Sequence, residues 1–225
     1  MKFNCDFKMK AMYSNNLVAV VDDGRSLTYA EMERFSVQIE SLVPKRTLVF
    51  SLCGNNLESL CGYFSFIRHS IVPLMLDSSV DSELLLKLCE VYAPRYIWLP
   101  NNRKDLFSKE KIIFCFDGYV LIEISSTGSF PLNANLALLL PTSGSTGSPK
   151  LVRLTYENIT TNAASIAEYL SVNEGDRPVT TLPMSYSFGL SIINSHLIKG
   201  ATILLTTKSV MEREFWTFVK RQNAT

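Results

Sequence analysis

The chain has 225 residues, 47% of them hydrophobic, enough for one large domain or two small ones around a sizeable core. Its 22 basic and 21 acidic residues leave a net charge of +1, so the charge balance does not point to nucleic acid as a partner. Five scattered cysteines without a CxxC pair and only two histidines argue against a zinc site and for reduced thiols in a cytoplasmic protein. The first residues are too polar for a signal peptide, and no apolar run approaches the roughly 20 residues that span a bilayer.

Short apolar runs alternate with longer helical periods. Leu17 to Val21 reads as a strand that turns at Asp22-Asp23-Gly24. Thr28 and Glu31 fit a capping box opening a helix to about Leu42, in which the Thr28 hydroxyl accepts from the third helical amide while Glu31 reaches back. Thr47 to Leu52 is a buried-strand candidate, and Asn55 is placed to cap a helix reaching about His69. Ile71 to Leu76 is a strand whose Pro73 removes a ladder donor, which predicts an edge or strand-start position. Asp81 to about Tyr92 is a helix with Leu84, Leu85, Leu88 and Val91 on one apolar face. Arg95 to Leu99 and Lys111 to Phe116 are strands, with a loop or short helix between them. Leu136 to Leu140 is continuously apolar, as expected of a strand covered on both faces. Thr155 is placed to cap a helix to about Leu170. Val179 to Leu182 and Ala201 to Leu205 are strands, and a helix from about Val210 to Arg221 follows.

The alternation argues for an α/β fold with a mostly parallel, doubly wound sheet flanked by helices. A βαβ pattern owes a strand after the last helix, so the expectation is that residues 1–225 are part of a longer protein.

The most informative stretch is Thr142-Ser143-Gly144-Ser145-Thr146-Gly147-Ser148-Pro149-Lys150. It follows a buried strand directly and precedes a helical segment, which places it at a strand's carboxyl end, where open α/β sheets bind ligands. Gly144 and Gly147 let backbone amides approach an anion closely. The hydroxyls of Thr142, Ser143, Ser145, Thr146 and Ser148 add donors, and Lys150 adds a point charge. The spacing is neither a Walker A motif, since Pro149 stands five residues after Gly144 and Lys150 is followed by Leu151, nor Gly-x-Gly-x-x-Gly. The plain alternative is a Ser/Gly surface turn, which leaves the closing Pro-Lys and the strand-to-helix setting without a reason.

This stretch closely resembles the signature of the adenylate-forming superfamily of acyl-CoA synthetases, aryl-CoA ligases, peptide-synthetase adenylation domains and luciferases. Three further stretches agree in order: Val18 to Glu31 resembles the opening strand pair and first helix, and Val72 to Asp77 resembles a Val-Pro-x-x-x-Asp turn, with Ser70 where glycine is usual. Leu182 to Leu190 resembles the acyl-pocket motif. The resemblance implies that ATP and a carboxylic acid give an acyl-adenylate and pyrophosphate. Thr142, Ser143, Gly144, Ser145, Thr146 and Gly147 would hold the β- and γ-phosphates, with Thr146 and Lys150 assisting the chemistry. Lys150 has the alternative of an ordinary solvated lysine.

Tyr186, Ser187, Phe188 and Gly189 would line the acid pocket, with Tyr186 otherwise an ordinary core aromatic. Amino-acid-activating members often carry Asp at the position of Ser187, so the resemblance favours an acid without an α-ammonium. It further implies a thioester acceptor, either coenzyme A or a carrier-protein phosphopantetheine. Mg²⁺ ligands, the ribose-binding Asp, the hinge and the small C-terminal domain with its catalytic Lys are expected outside these 225 residues. Residues 1–225 would thus be the N-terminal part of the large domain, inactive in isolation. Two other readings stay open: a non-catalytic nucleotide-binding or interaction module on the same fold, and a generic phosphate-loop NTPase.

Overall fold

The computed structural model describes residues 17–125, 130–142 and 150–225. In chain order the elements are β1 (Val18–Asp22), β2 (Arg25–Thr28), α1 (Tyr29–Leu42), β3 (Leu48–Cys53), α2 (Leu57–Arg68), β4 (Val72–Asp77) and α3 (Ser82–Tyr92). There follow β5 (Tyr96–Pro100), a 3-10 helix (Asn101–Phe107), β6 (Lys111–Phe116), β7 (Tyr119–Glu123), β8 (Leu136–Pro141) and β9 (Leu151–Thr155). The remainder are α4 (Tyr156–Tyr169), β10 (Val179–Thr180), α5 (Ser187–Leu197), β11 (Ile203–Leu205) and α6 (Arg213–Arg221). None of the helices among the described residues is long and apolar enough to cross a membrane.

The larger sheet has the order β6-β7-β5-β3-β4-β8-β9. Its centre, β5-β3-β4-β8, is parallel, and antiparallel strands extend both sides. The smaller sheet runs β10-β11-β1-β2, with only the β1–β2 pair antiparallel. The α/β architecture with a large, mostly parallel sheet flanked by helices therefore holds, and the strands divide between two sheets.

Side-chain alternation assigns the faces. In β5, Tyr96 and Trp98 point to one core while Ile97 and Leu99 point to the other; in β7, Tyr119 and Leu121 oppose Val120 and Ile122. The first core also holds α1 residues Met32, Phe35 and Ile39, α2 residues Leu60, Phe64 and Ile67, and Ile203 and Leu205 of the small sheet. The second core packs the opposite face of the large sheet on Leu85 and Leu88 of α3. The outer face of the small sheet buries Val21 and Leu204 against Phe218 of α6. The layers thus run α3, large sheet, helices, small sheet, α6.

The capping box of α1 is present: Glu31 N–H donates to Thr28 Oγ1 at 3.2 Å and Thr28 N–H to Glu31 Oε2 at 2.8 Å. Four expectations are corrected. The cap of α2 is Asn56, whose Oδ1 accepts from Ser59 N–H at 2.9 Å; Asn55 instead donates to Thr180 C=O at 3.4 Å. Pro73 stands at the second position of β4, but in the interior of the sheet rather than at an edge. Val72 N–H donates to Thr47 C=O on the β3 side, so the neighbouring Pro73 nitrogen faces β8, where the pairing register is Leu74 with Leu139. Pro73 therefore offers β8 no donor, and the β4–β8 register is carried at Leu74 with Leu139. Val91 is 57% exposed, because α3 buries only Leu85 and Leu88. Finally, β9 intervenes between the Ser/Gly-rich stretch and α4.

Candidate functional site

The stretch 142–150 connects two antiparallel strands, β8 and β9, rather than a strand and a helix. At the base of this connection Thr142 N–H donates to Lys150 C=O at 2.8 Å, one rung beyond the Pro141–Leu151 pair. Both Thr142 and Lys150 are exposed. Ser143, Gly144, Ser145, Thr146 and Gly147 lie outside the described residues, as do Ser148 and Pro149.

β9 leads straight into α4, whose cap is reciprocal: Asn158 N–H donates to Thr155 Oγ1 at 3.1 Å, and Thr155 N–H donates to Asn158 Oδ1 at 3.0 Å. Between α4 and α5 lies a cavity of about 690 Å³. Leu138 and Leu140 of β8 form its floor. Ile159 and Ile166 of α4 form one wall, and Ser187, Leu190, Ser191 and Asn194 of α5 form the other. Those four α5 residues fall at i, i+3, i+4 and i+7, one face of a helix.

Of the residues singled out in the sequence, Tyr186, Ser187 and Phe188 line this cavity together. Tyr186 and Phe188 are 60% and 58% exposed, so Tyr186 is not a core aromatic. Gly189 is buried beneath them without lining the cavity. A Cβ there would lie 2.4 Å from the Pro183 carbonyl oxygen and 2.8 Å from that of Leu182, so glycine lets the first turn of α5 seat on the Leu182–Pro183 backbone. Thr142 and Lys150 do not line the cavity, yet they lie at the end of the hairpin whose Leu138, Leu140 and Leu154 do.

Sequence reading missed Asn194, which is 5% exposed. Tyr63 Oη donates to its Oδ1 at 2.8 Å across 131 residues of chain. The helical spacing from Ser187 was the signal that could have found it. Phe188, Ser191 and Ile166 are also shared with a second cavity of about 360 Å³, bounded by Tyr169, Leu170 and His196. His196 is satisfied, its Nδ1 lying 2.8 Å from Ile192 C=O. A third cleft, of about 450 Å³, opens off the carboxyl ends of β3 and β4, with Gly54, Asp77 and Ser78 facing Thr206 and Lys208.

Burial pushes the Cys53 and Cys61 thiols far above the ordinary range, to about 12 for Cys53, which makes them inert as nucleophiles. Among the described residues no three His, Cys, Asp or Glu side chains gather to hold a metal ion.

Comparison with known proteins agrees with this architecture. The family model for AMP-binding enzymes matches residues 7–225. Malpinin synthetase of Mortierella alpina is 28% identical over 222 residues, which cover 93% of this chain and 3% of that protein. Tyrocidine synthase 3 of Brevibacillus parabrevis is 26% identical over 212 residues, covering 91% of this chain and 3% of that protein. Among solved structures, O-succinylbenzoate coenzyme A synthetase from Bacillus subtilis, in complex with ATP and magnesium ion, superimposes with a TM-score of 0.75 at 20% identity. The match covers 98% of this chain and 61% of that one. VinN in complex with 3-methylaspartate gives 0.74 at 18% identity, covering 96% and 62%. The chain thus spans a small part of the curated relatives it matches and about three-fifths of these solved chains. With the family model matching nearly every residue and the two-sheet fold shared with those structures, the chain belongs to the AMP-binding enzyme family.

Proposed function

We propose that this chain supplies the phosphate loop and one wall of the acid pocket of an ATP-dependent ligase that activates a carboxylic acid as its adenylate. One observation carries the reading. A single strand, β8, contributes Leu138 and Leu140 to the α4–α5 cavity and then runs directly into the Ser/Gly-rich stretch. An acid held in the cavity and a phosphate held at the stretch are then neighbours by construction.

In the reaction the acid's carboxylate oxygen attacks the α-phosphorus of ATP. An O–P bond forms, the bond to the β-phosphate oxygen breaks, and pyrophosphate leaves with the electron pair. Thr142 to Gly147 hold the departing phosphates with amide and hydroxyl donors, and Lys150 adds positive charge as negative charge develops. Tyr186, Ser187 and Phe188 border the acid, while Gly189 seats the helix that carries them. Mg²⁺, when bound, would offset negative charge on the phosphates, and its protein ligands are expected outside these 225 residues.

The adenylate is then passed to a thiol, of coenzyme A or of a carrier-protein phosphopantetheine. Both acceptors are kept, because a coenzyme A synthetase stands among the structural neighbours and peptide-forming synthetases among the relatives. Coverage of about three-fifths of the solved chains supports a division of labour in which these 225 residues alone do not complete the adenylate. The free thiols of Cys53, Cys61, Cys89 and Cys115 support a cytoplasmic setting.

The test is pyrophosphate release by the full-length protein with ATP and a panel of fatty, aryl, hydroxy and amino acids. Release that depends on one acid class is expected. ATP hydrolysis without any acid would replace this reading with a phosphate-loop NTPase. Nucleotide binding with no turnover on any acid would replace it with a non-catalytic module.

A further inference from the structure

The α4–α5 cavity has an apolar floor, and Asn194 is a buried polar group in its wall. A side-chain amide removed from water costs free energy unless both its ends are served. The carbonyl end is served, since Tyr63 Oη donates to Oδ1 at 2.8 Å within the core. Nδ2 donates to no partner among the described residues, although Asn194 lines the cavity. The amide is therefore turned by Tyr63 so that the nitrogen is left for whatever fills the space.

The surrounding chemistry narrows what that is. The described lining contains no Asp, Glu, Lys, Arg or His; its polar members are amides and hydroxyls, such as Asn162, Ser187 and Ser191. An ionised group on a ligand would meet no counter-charge among these described residues, and the wall they form would cost it hydration. An uncharged oxygen would find a pre-oriented donor. We infer that Asn194 reads the chain of the acid: its Nδ2 donates to an uncharged oxygen, hydroxyl or carbonyl, carried on the acid away from its carboxylate. Tyr63 is the positioning residue that orients the amide. The inference rests on the adenylation reading above and names the substrate class of that same cavity.

The full-length protein is assayed for ATP-dependent pyrophosphate release with matched acids. These are straight-chain alkanoates, the same chains with a hydroxyl or oxo group moved one carbon at a time, and the corresponding amino and dicarboxylic acids. The wild type is expected to favour one oxygen-bearing acid over its deoxy twin by up to about tenfold in kcat/KM, the net size of one hydrogen bond that replaces one to water. Asn194→Leu is expected to bring that ratio near one, and Tyr63→Phe to reduce it by a smaller factor. A wild-type preference for ammonium- or carboxylate-bearing chains, indifference to the oxygen, or an unchanged ratio in Asn194→Leu would overturn the inference while leaving adenylation standing. The wild-type panel decides the matter even if a variant does not fold. No release with any acid would remove the adenylation reading, and this inference with it.

Discussion

Arg25 Nη1 lies 2.6 Å from Glu58 Oε1, joining the turn of the β1–β2 hairpin to the first turn of α2 across 33 residues of chain. The same guanidinium reaches Asp22 at 2.9 Å and Asp117, in the β6–β7 turn, at 3.3 Å. Asp22 in turn accepts from Leu57 N–H at 2.9 Å, at the start of α2. Burial raises the Asp22 carboxyl above its ordinary value, against the pull of the Leu57 amide and Arg25. One arginine therefore neutralises two buried carboxylates and ties the small sheet to both the helical layer and the large sheet.

Removing that arginine leaves Glu58 and Asp22 without their cation. Losing one partner of a buried pair costs about 3–5 kcal/mol; with the Arg25 side chain roughly half exposed, about 2 kcal/mol is expected for Arg25→Met. Urea unfolding of the wild type and variant measures it. Equal midpoints would show that the cluster is incidental.

Ser70 occupies a left-handed conformation, with φ of +57°, between α2 and β4. Its carbonyl accepts from Arg46 N–H at 2.8 Å, so the turn is fixed from outside. The place where the family resemblance expects glycine is thus one that demands positive φ, and serine bears the strain. Ser70→Gly is expected to raise stability by about 1 kcal/mol, the relief of a left-handed side chain less the added freedom of the unfolded chain. Thermal or chemical denaturation that shows a loss would contradict this account of the turn.

His69 caps the C-terminus of α2, with Nδ1 at 3.0 Å from Glu40 and Nε2 at 3.0 Å from Ser36 Oγ. Glu33 and Arg68 are its other charged neighbours. Burial lowers its pKa from the ordinary value and outweighs the attraction of Glu40. With the folded pKa below the unfolded value of about 6.5, the unfolded chain takes up the proton first. Stability present above about pH 6.5 is therefore lost as the pH falls below it. Melting temperatures across pH 5 to 8 are expected to drop more steeply below about 6.5 for the wild type than for His69→Gln. Parallel curves would show that His69 titrates alike in both states.

At the phosphate stretch, Thr146→Ala combined with Lys150→Ala in the full-length protein is expected to lower kcat for acid-dependent pyrophosphate release by at least a hundredfold. Each lost donor to a developing anion is worth on the order of 3 kcal/mol. Unchanged kinetics would remove the role proposed for this stretch.

Elements were legible wherever local chemistry is strong. The capping box at Thr28, the cap at Thr155 and the apolar run of β8 mark themselves. β2, β7 and β9 were not read from the residues. β2 is only four residues long, with Arg25 and Ser26 exposed, and β9 exposes Val152 and Arg153, so neither carries a continuous apolar signal. β7 does carry one, and the Asp117-Gly118 pair before it is a hairpin signal that was overlooked. The division into two sheets was not legible, because β1 pairs with β11, about 180 residues away, and no local preference encodes that. In the candidate site, Tyr186, Ser187 and Phe188 were found through motif resemblance. Asn194 was missed because its meaning lies in Tyr63, 131 residues earlier.

The helical layer has a consequence for how the molecule comes apart. α1 and α2 belong to one hydrophobic cluster that also contains Ala19, Val20, Ile203 and Leu205 of the small sheet and Val49, Trp98 and Leu138 of the large one. Neither sheet owns these helices, so peeling away either would strip the other of its cover. The two sheets should lose structure in one calorimetric transition, with hydrogen exchange in β1 and β3 slowed to the same global opening.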